Sequence, residues 1–264
     1  NAQSGVKEMF EDKELEKELA AAGYQFSSAN SINIGRLVPQ VVYYVYAYAK
    51  LLENEEITSG EEINVTVPTG NFGNILAAYY AKQMGVPIGK LICASNENKV
   101  LFDFFQTGVY DRNREFILTS SPSMDILISS NLERLIYTIA GQDAEKNAQL
   151  MTQLREKGVY EITPEMREKL SDFVGGFATE EECGETISRT YGRTGYVMDT
   201  HTAVAASVGA QYRRDSGDAR KCLVASTASP YKFIHSVMSA IDGKYASADE
   251  FDLIDELSRI SGTE

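Results

Sequence analysis

The residues best placed to do chemistry stand at the end of an apolar, β-branched run. Ile63-Asn64-Val65-Thr66-Val67-Pro68 leads into Thr69-Gly70-Asn71-Phe72-Gly73-Asn74, and a helical pattern follows at once. The order strand, glycine-containing turn, helix builds an anion cradle. Glycine lets the turn adopt backbone angles closed to other residues and lets a ligand approach closely. The unpaired N–H groups of the next helix's first turn then point at the anion. Asn71 and Asn74 add side-chain donors without charge. The loop lacks the Gly-Lys-Ser/Thr of a Walker loop and does not match the dinucleotide fingerprint. A tight turn with glycines for geometry alone is the competing reading.

Three further segments carry polar groups to strand ends or helix starts. Ser226-Thr227-Ala228 follows the short apolar run Cys222–Ala225, and its hydroxyls can meet a ligand or cap the helix near Pro230. Asn30 to Arg36 opens a long helix, where Asn33 and Arg36 can cap or grip an anion. Asp199-Thr200-His201-Thr202 opens another. His201 is a possible acid/base group, although a histidine in a cap region is commoner. Neither His201 nor His235 lies near a Ser or Cys in a nucleophile motif, so triad chemistry has no support.

Composition narrows the field. The 264 residues can bury a sizeable core. With 38 acidic and 25 basic residues the net charge is −13, and there is no basic tract, so nucleic acid and anionic membrane are poor partners. No stretch approaches the run of about 18 apolar residues that spans a bilayer. Three scattered cysteines, Cys93, Cys183 and Cys222, argue against a disulfide framework or a zinc site and fit a reducing, cytoplasmic setting. Two histidines exclude a multi-histidine metal centre, and no metal is expected.

The elements that position these segments follow from periodicity. Residues 4 to 22 read as an amphipathic helix, with Val6, Met9, Phe10 and Leu15 on one face. Residues 32 to 52 read as a long core helix that Pro39 can kink. A helix over Ile75–Met84 and a strand over Lys90–Ala94 complete a βαβ unit, hence a parallel sheet with a right-handed crossover. Ligands of such sheets bind beyond the carboxyl ends of the strands, where the cradle stands. Residues 98 to 106 and 124 to 140 look helical. Residues 144 to 191 look like charged helices with Gly175-Gly176 as a break. Residues 200 to 213 form an Ala/Val-rich helix, and two helices close the chain.

Together, Ser31–Arg36, Pro68–Asn74, Ser121–Asp125 with Ser129–Arg134, Asp199–Ala203 and Ser226–Phe233 resemble threonine synthase, a pyridoxal 5′-phosphate enzyme of fold type II (the tryptophan synthase β-like group). The segments occur in that family's order from about residue 27 onward. The resemblance implies an α/β fold: a mostly parallel sheet flanked by helices, the large cofactor domain, with a helical insertion at about 124–192. Residues 1–26 would then be a helix of a preceding domain, and 27–264 the cofactor-binding portion. Gly70, Asn71, Phe72, Gly73 and Asn74 are implied to hold the cofactor phosphate, and Thr227 to meet the pyridine nitrogen. Asn33, Arg36 and Ser123 are candidates for binding the substrate O-phospho-L-homoserine, which the family converts with water to L-threonine and phosphate.

One departure stands out. The family's Schiff-base lysine lies upstream of the phosphate loop in a Phe-Lys-Asp type segment, and no such segment occurs here. Lys50 lies late in a helix, and Lys232 belongs to the C-terminal motif. With the abrupt start on Asn1-Ala2-Gln3, this suggests the C-terminal portion of a threonine synthase that is inactive alone and prone to self-association through exposed apolar surface. The alternatives are another fold-type II lyase or dehydratase, and a non-catalytic phosphate-binding fragment.

Overall fold

The computed structural model describes residues 5–6, 9–10, 12–28 and 30–262. Its centre is a four-stranded, all-parallel sheet: β1 (Ile63–Pro68), β2 (Ile88–Ser95), β5 (Phe173–Phe177) and β6 (Cys222–Val224), in the order β5-β2-β1-β6. Val65 pairs with Leu91 on one side and Leu223 on the other. A separate antiparallel pair joins β3 (Val109–Asp111) to β4 (Val159–Glu161).

Alternation along the strands sends side chains to opposite faces. Val65, Val67, Leu91 and Cys93 enter one core, with α3 (Val41–Glu53), α4 (Gly73–Gln83) and α6 (Leu132–Ile139). Ile92 and Ala94 enter the other, with α9 (Glu180–Thr194), α10 (Thr200–Ser216), α11 (Ile234–Ile241) and α12 (Glu250–Ser261). Covering both faces explains why β1 is buried at every position. The expected βαβ unit is present: β1 and β2 pair in parallel through α4. Among the described residues, no helix is long and apolar enough to cross a membrane.

Several expectations need correction. The amphipathic N-terminal helix is interrupted at Asp12, which caps α1 (Lys13–Ala21), and α1 buries none of its residues. Val6 and Met9 are exposed, while the Phe10 ring packs 5.0 Å from Phe26. Residues 4, 7, 8 and 11 of that helix lie outside the described ones. The long second helix splits at Pro39 into α2 (Ile34–Leu37), a 3-10 turn and α3. Only one face of it packs: Tyr44 and Tyr48 are buried, whereas Val42, Tyr43, Val45 and Tyr46 are exposed.

Residues 125–131 are irregular, and the helix expected over 124–140 is confined to α6. The segment read as helices broken at Gly175-Gly176 contains the edge strand β5 instead. The glycines are there for space. A Cβ on Gly176 would lie 2.4 Å from Val208 Cγ1 of α10, and one on Gly175 would lie 3.2 Å from Phe102 Cα of α5 (Val100–Thr107). Glycine is poor for strand stability but permits two helices to clamp this strand.

Candidate functional site

A cavity of about 270 Å³ opens at the carboxyl ends of β1 and β6, bounded by Pro68 to Ile75, Ser31, Gln40, Ser123, Met124, His201, Thr227, Ala228 and Lys232. A neighbouring cavity shares Asn74 and Thr227 with it, so the two adjoin at these side chains.

The loop between β1 and α4 forms the cavity's donor wall. Phe72 occupies the left-handed region at φ 65°, as the residue before the helix, and offers no side-chain cap. A bulky residue held there signals strain that its surroundings must impose. Its ring is buried, 5.8 Å from Phe173 and 6.1 Å from Phe105, and this packing fixes the backbone. The result is a run of N–H groups, Gly70 through Ile75, with no acceptor among the described residues; the first bond of the helix runs from Leu76 N to Phe72 O. A left-handed residue followed by a right-handed helix turn makes such N–H groups converge into an anion-binding nest, with the positive end of the α4 dipole behind them.

The opposite side of the loop is tied down by its carbonyls. Ser129 Oγ donates to Gly70 O at 2.7 Å, and Asn131 donates to Asn71 O from both its backbone N (3.1 Å) and its Nδ2 (2.9 Å). In a trans peptide the C=O and the following N–H point in opposite directions. Holding the carbonyls of Gly70 and Asn71 therefore turns the N–H groups of Asn71 and Phe72 the other way. Arg134 completes the brace, donating to Ser31 O at 3.1 Å, to Ile32 O at 2.9 Å and to Asn131 Oδ1. The motif Ser129–Arg134 thus acts on the cradle from behind.

Close packing dictates both loop glycines. A Cβ on Gly70 would lie 2.5 Å from Ser123 O, and one on Gly73 would lie 2.9 Å from Ser31 Cβ and Oγ. The asparagines are oriented as well. Asn71 Oδ1 accepts from Ser130 Oγ at 3.3 Å, and Asn74 Oδ1 accepts from Tyr44 Oη. Each amide's NH₂ therefore stays available as a donor. Burial pushes the Tyr44 phenol well above its usual pKa, so it remains a donor at neutral pH.

The cavity floor is the turn Pro122–Met124. Ser123 N donates to His201 Nε2 at 3.2 Å, while His201 Nδ1 faces Asp199 Oδ1 at 3.1 Å. With Nε2 accepting from Ser123 N, Nδ1 is the ring nitrogen left to donate to Asp199. Asp199 caps α10 through the N–H groups of His201 and Thr202 and accepts from the Thr202 hydroxyl. Burial works to raise the Asp199 pKa, but the bonds from His201 and Thr202 together hold it below its ordinary value.

Of the residues singled out in the sequence, Gly70, Asn71, Phe72, Gly73, Asn74, Thr227 and Ser123 meet at this cavity. Asn33 and Arg36 do not line it. Asn33 Oδ1 caps α2 through Gly35 N, its Nδ2 donates to Ser28 O, and Arg36 is exposed. Ser31 and Gln40 of the same stretch line the cavity instead. The cap at Pro230 is supplied by Ser229, leaving Thr227 free of that role. His201 and Lys232, both weighed lightly in the sequence, line the cavity too. The signal that could have raised them was their place in segments flanking strand ends and helix starts.

An all-parallel sheet with an anion nest at one strand end and a hydroxyl at the next is the arrangement that the resemblance to fold-type II pyridoxal-phosphate enzymes implies. The comparisons with known proteins narrow it. No family model matches the chain. Threonine synthase of Saccharomyces cerevisiae is 34% identical over 99% of this chain and 52% of its own length. Threonine synthase-like 1 of Macaca fascicularis is 46% identical over 90% of this chain and 32% of its own. The crystal structure of PLP-bound threonine synthase from Brucella melitensis superposes with a TM-score of 0.81 at 36% identity, covering 99% of this chain and 52% of that one. The chain belongs to the threonine synthase family. It spans about half the length of the threonine synthases it matches, and about a third of the threonine synthase-like 1 proteins.

Proposed function

We propose that this chain is the phosphate-holding portion of a pyridoxal-phosphate-dependent threonine synthase, a carbon–oxygen lyase that converts O-phospho-L-homoserine and water to L-threonine and phosphate. The observation that carries this reading is the run of N–H groups from Gly70 to Ile75 without acceptors among the described residues, beside a cavity that Thr227 of the adjacent strand end also lines. The residues fit the cofactor. The nest suits a phosphate, and side chains at Gly70 and Gly73 would collide with the floor and with Ser31. When bound, pyridoxal phosphate supplies an electron sink for elimination and addition at the amino acid's side chain.

The chain's own residues set the conditions. The nest and the Asn71 and Asn74 amides would hold the cofactor's phosphate. The Thr227 hydroxyl would meet its ring nitrogen without the negative charge that stabilises protonation. Ser123, fixed through His201, is offered as a substrate contact. Of the described lysines, Lys232 alone lines the cavity, and its segment corresponds to no Schiff-base position. The chain by itself is therefore expected to form no threonine. Self-association through the exposed Val42, Tyr43, Val45 and Tyr46 face belongs to the same proposal; sedimentation that stays monomeric at high concentration would remove it.

The test combines binding with turnover. Pyridoxal phosphate should bind the purified chain, and borohydride should trap no stoichiometric adduct at a single lysine. Phosphohomoserine should release no phosphate. A stoichiometric adduct with threonine formation would sink the inactivity, and failure to bind any phosphate compound would sink the cradle.

A further inference from the structure

Among the described residues lining the cavity, Lys232 is the only lysine or arginine, and no aspartate or glutamate joins it. In a chain of net charge −13 the cavity therefore carries a local sign reversal. Lys232 stands in the 3-10 turn Pro230–Phe233, reached directly from the Ser226–Ala228 end of β6. The two strand ends thus contribute different chemistry, neutral donors from the β1 junction and an ammonium from the β6 junction.

Lys82, Lys221 and Lys244 each meet a carboxylate, but Lys232 forms no ion pair among the described residues. Its Nζ lies 5.4 Å from the centroid of the Phe233 ring, and that ring packs 4.7 Å from His201 on the cavity floor. Lysine is a mobile point charge on a long stem, suited to closing on a phosphate whose other oxygens are already held.

We propose that Lys232 is the charged ligand of a phosphate monoester bound in this cavity, approaching the phosphate from the β6 side while the β1 loop holds it with neutral donors. This rests on the reading of Gly70–Asn74 as a phosphate cradle. The ammonium supplies the long-range attraction that a neutral nest in an acidic protein lacks. The same chemistry serves a cofactor phosphate or a substrate phosphate.

The test is titration of the chain, Lys232→Met and Lys232→Arg with inorganic phosphate, pyridoxal phosphate, O-phospho-L-homoserine and phosphate-free pyridoxal, at low and high salt. Lys232 is exposed, so both variants should fold. Lys232→Met should weaken at least one phosphate monoester about tenfold, flatten its salt dependence and leave pyridoxal unchanged. Lys232→Arg should restore most of the affinity. Loss on pyridoxal phosphate assigns the cofactor phosphate, and loss confined to phosphohomoserine assigns the substrate. If Lys232→Met binds every phosphate compound like the parent while Gly70→Ala does not, the cradle stands and the lysine proposal falls. If the parent chain binds none of them, both fall.

Discussion

Two strands bring their carboxyl ends to the cavity, and they are built differently. β1 is central, paired on both sides and buried throughout. Its junction to α4 is braced by Ser129, Asn131 and Arg134 and locked by the Phe72 ring. β6 pairs with β1 alone, and its junction carries the exposed Ser226, Thr227 and Lys232. One end is a preorganised mould that cannot move without loss of packing; the other offers side chains that can adjust. The β1 loop is fixed by contacts within the protein, whereas the side chains at the β6 end are exposed.

Substitutions should separate these behaviours. The largest effect is expected from Gly70→Ala, whose Cβ would collide with the Ser123 backbone carbonyl. Urea unfolding should show a loss of about 1–3 kcal/mol, and phosphate binding should fall with it. Full stability in that variant would mean the cradle is softer than described. Next comes Asn131→Ala, which frees the Asn71 carbonyl from a side-chain bond and removes the link to Ser31 Oγ. A cost of about 1–2 kcal/mol is expected, with phosphate affinity falling although the residue touches no ligand. A variant that loses stability but keeps its affinity would break the argument that the brace aims the N–H groups.

The cavity floor gives a pH test. The Asp199 pKa is lower in the folded chain than in the unfolded one, so the carboxylate favours folding. That contribution is complete above about pH 4, the ordinary range for aspartate, and is lost as pH falls through the lower folded value. Asp199→Asn should be less stable than the parent at pH 7, and the gap should close in acid. An equal gap at pH 7 and pH 3 would show that the charge is irrelevant. The smallest stability effect belongs to the β6 end. Thr227→Val, at an exposed position, should stay within about 0.5 kcal/mol while shifting the absorption of bound pyridoxal phosphate. A large loss of stability would erase the contrast between the two ends.

Much of this was legible in the residues. β1, α4, β2 and β6 follow from apolar runs and glycine stops, because short-range periodicity and backbone permissiveness act locally. The cradle was legible for the same reason. The strand β5 was not, since Gly175-Gly176 argue against a strand unless the helices that press on them are known. The types of Asn33 and Arg36 suit anions, but the residue sequence alone did not show that Asn33 caps a helix or that Arg36 stays outside the cavity lining. His201 was underrated because its value comes from Ser123, 78 residues away in sequence.

The sequence by itself therefore determined the strand–loop–helix cradle, the hydroxyl at the second strand end and the family's ordered motifs, all written in contiguous residues. Tertiary structure alone decided which groups share the cavity, which carbonyls are tied back so that N–H groups face forward, and where the single lysine among the cavity residues stands. Those depend on contacts between segments 60 to 100 residues apart, and no local pattern of residue types encodes such distances.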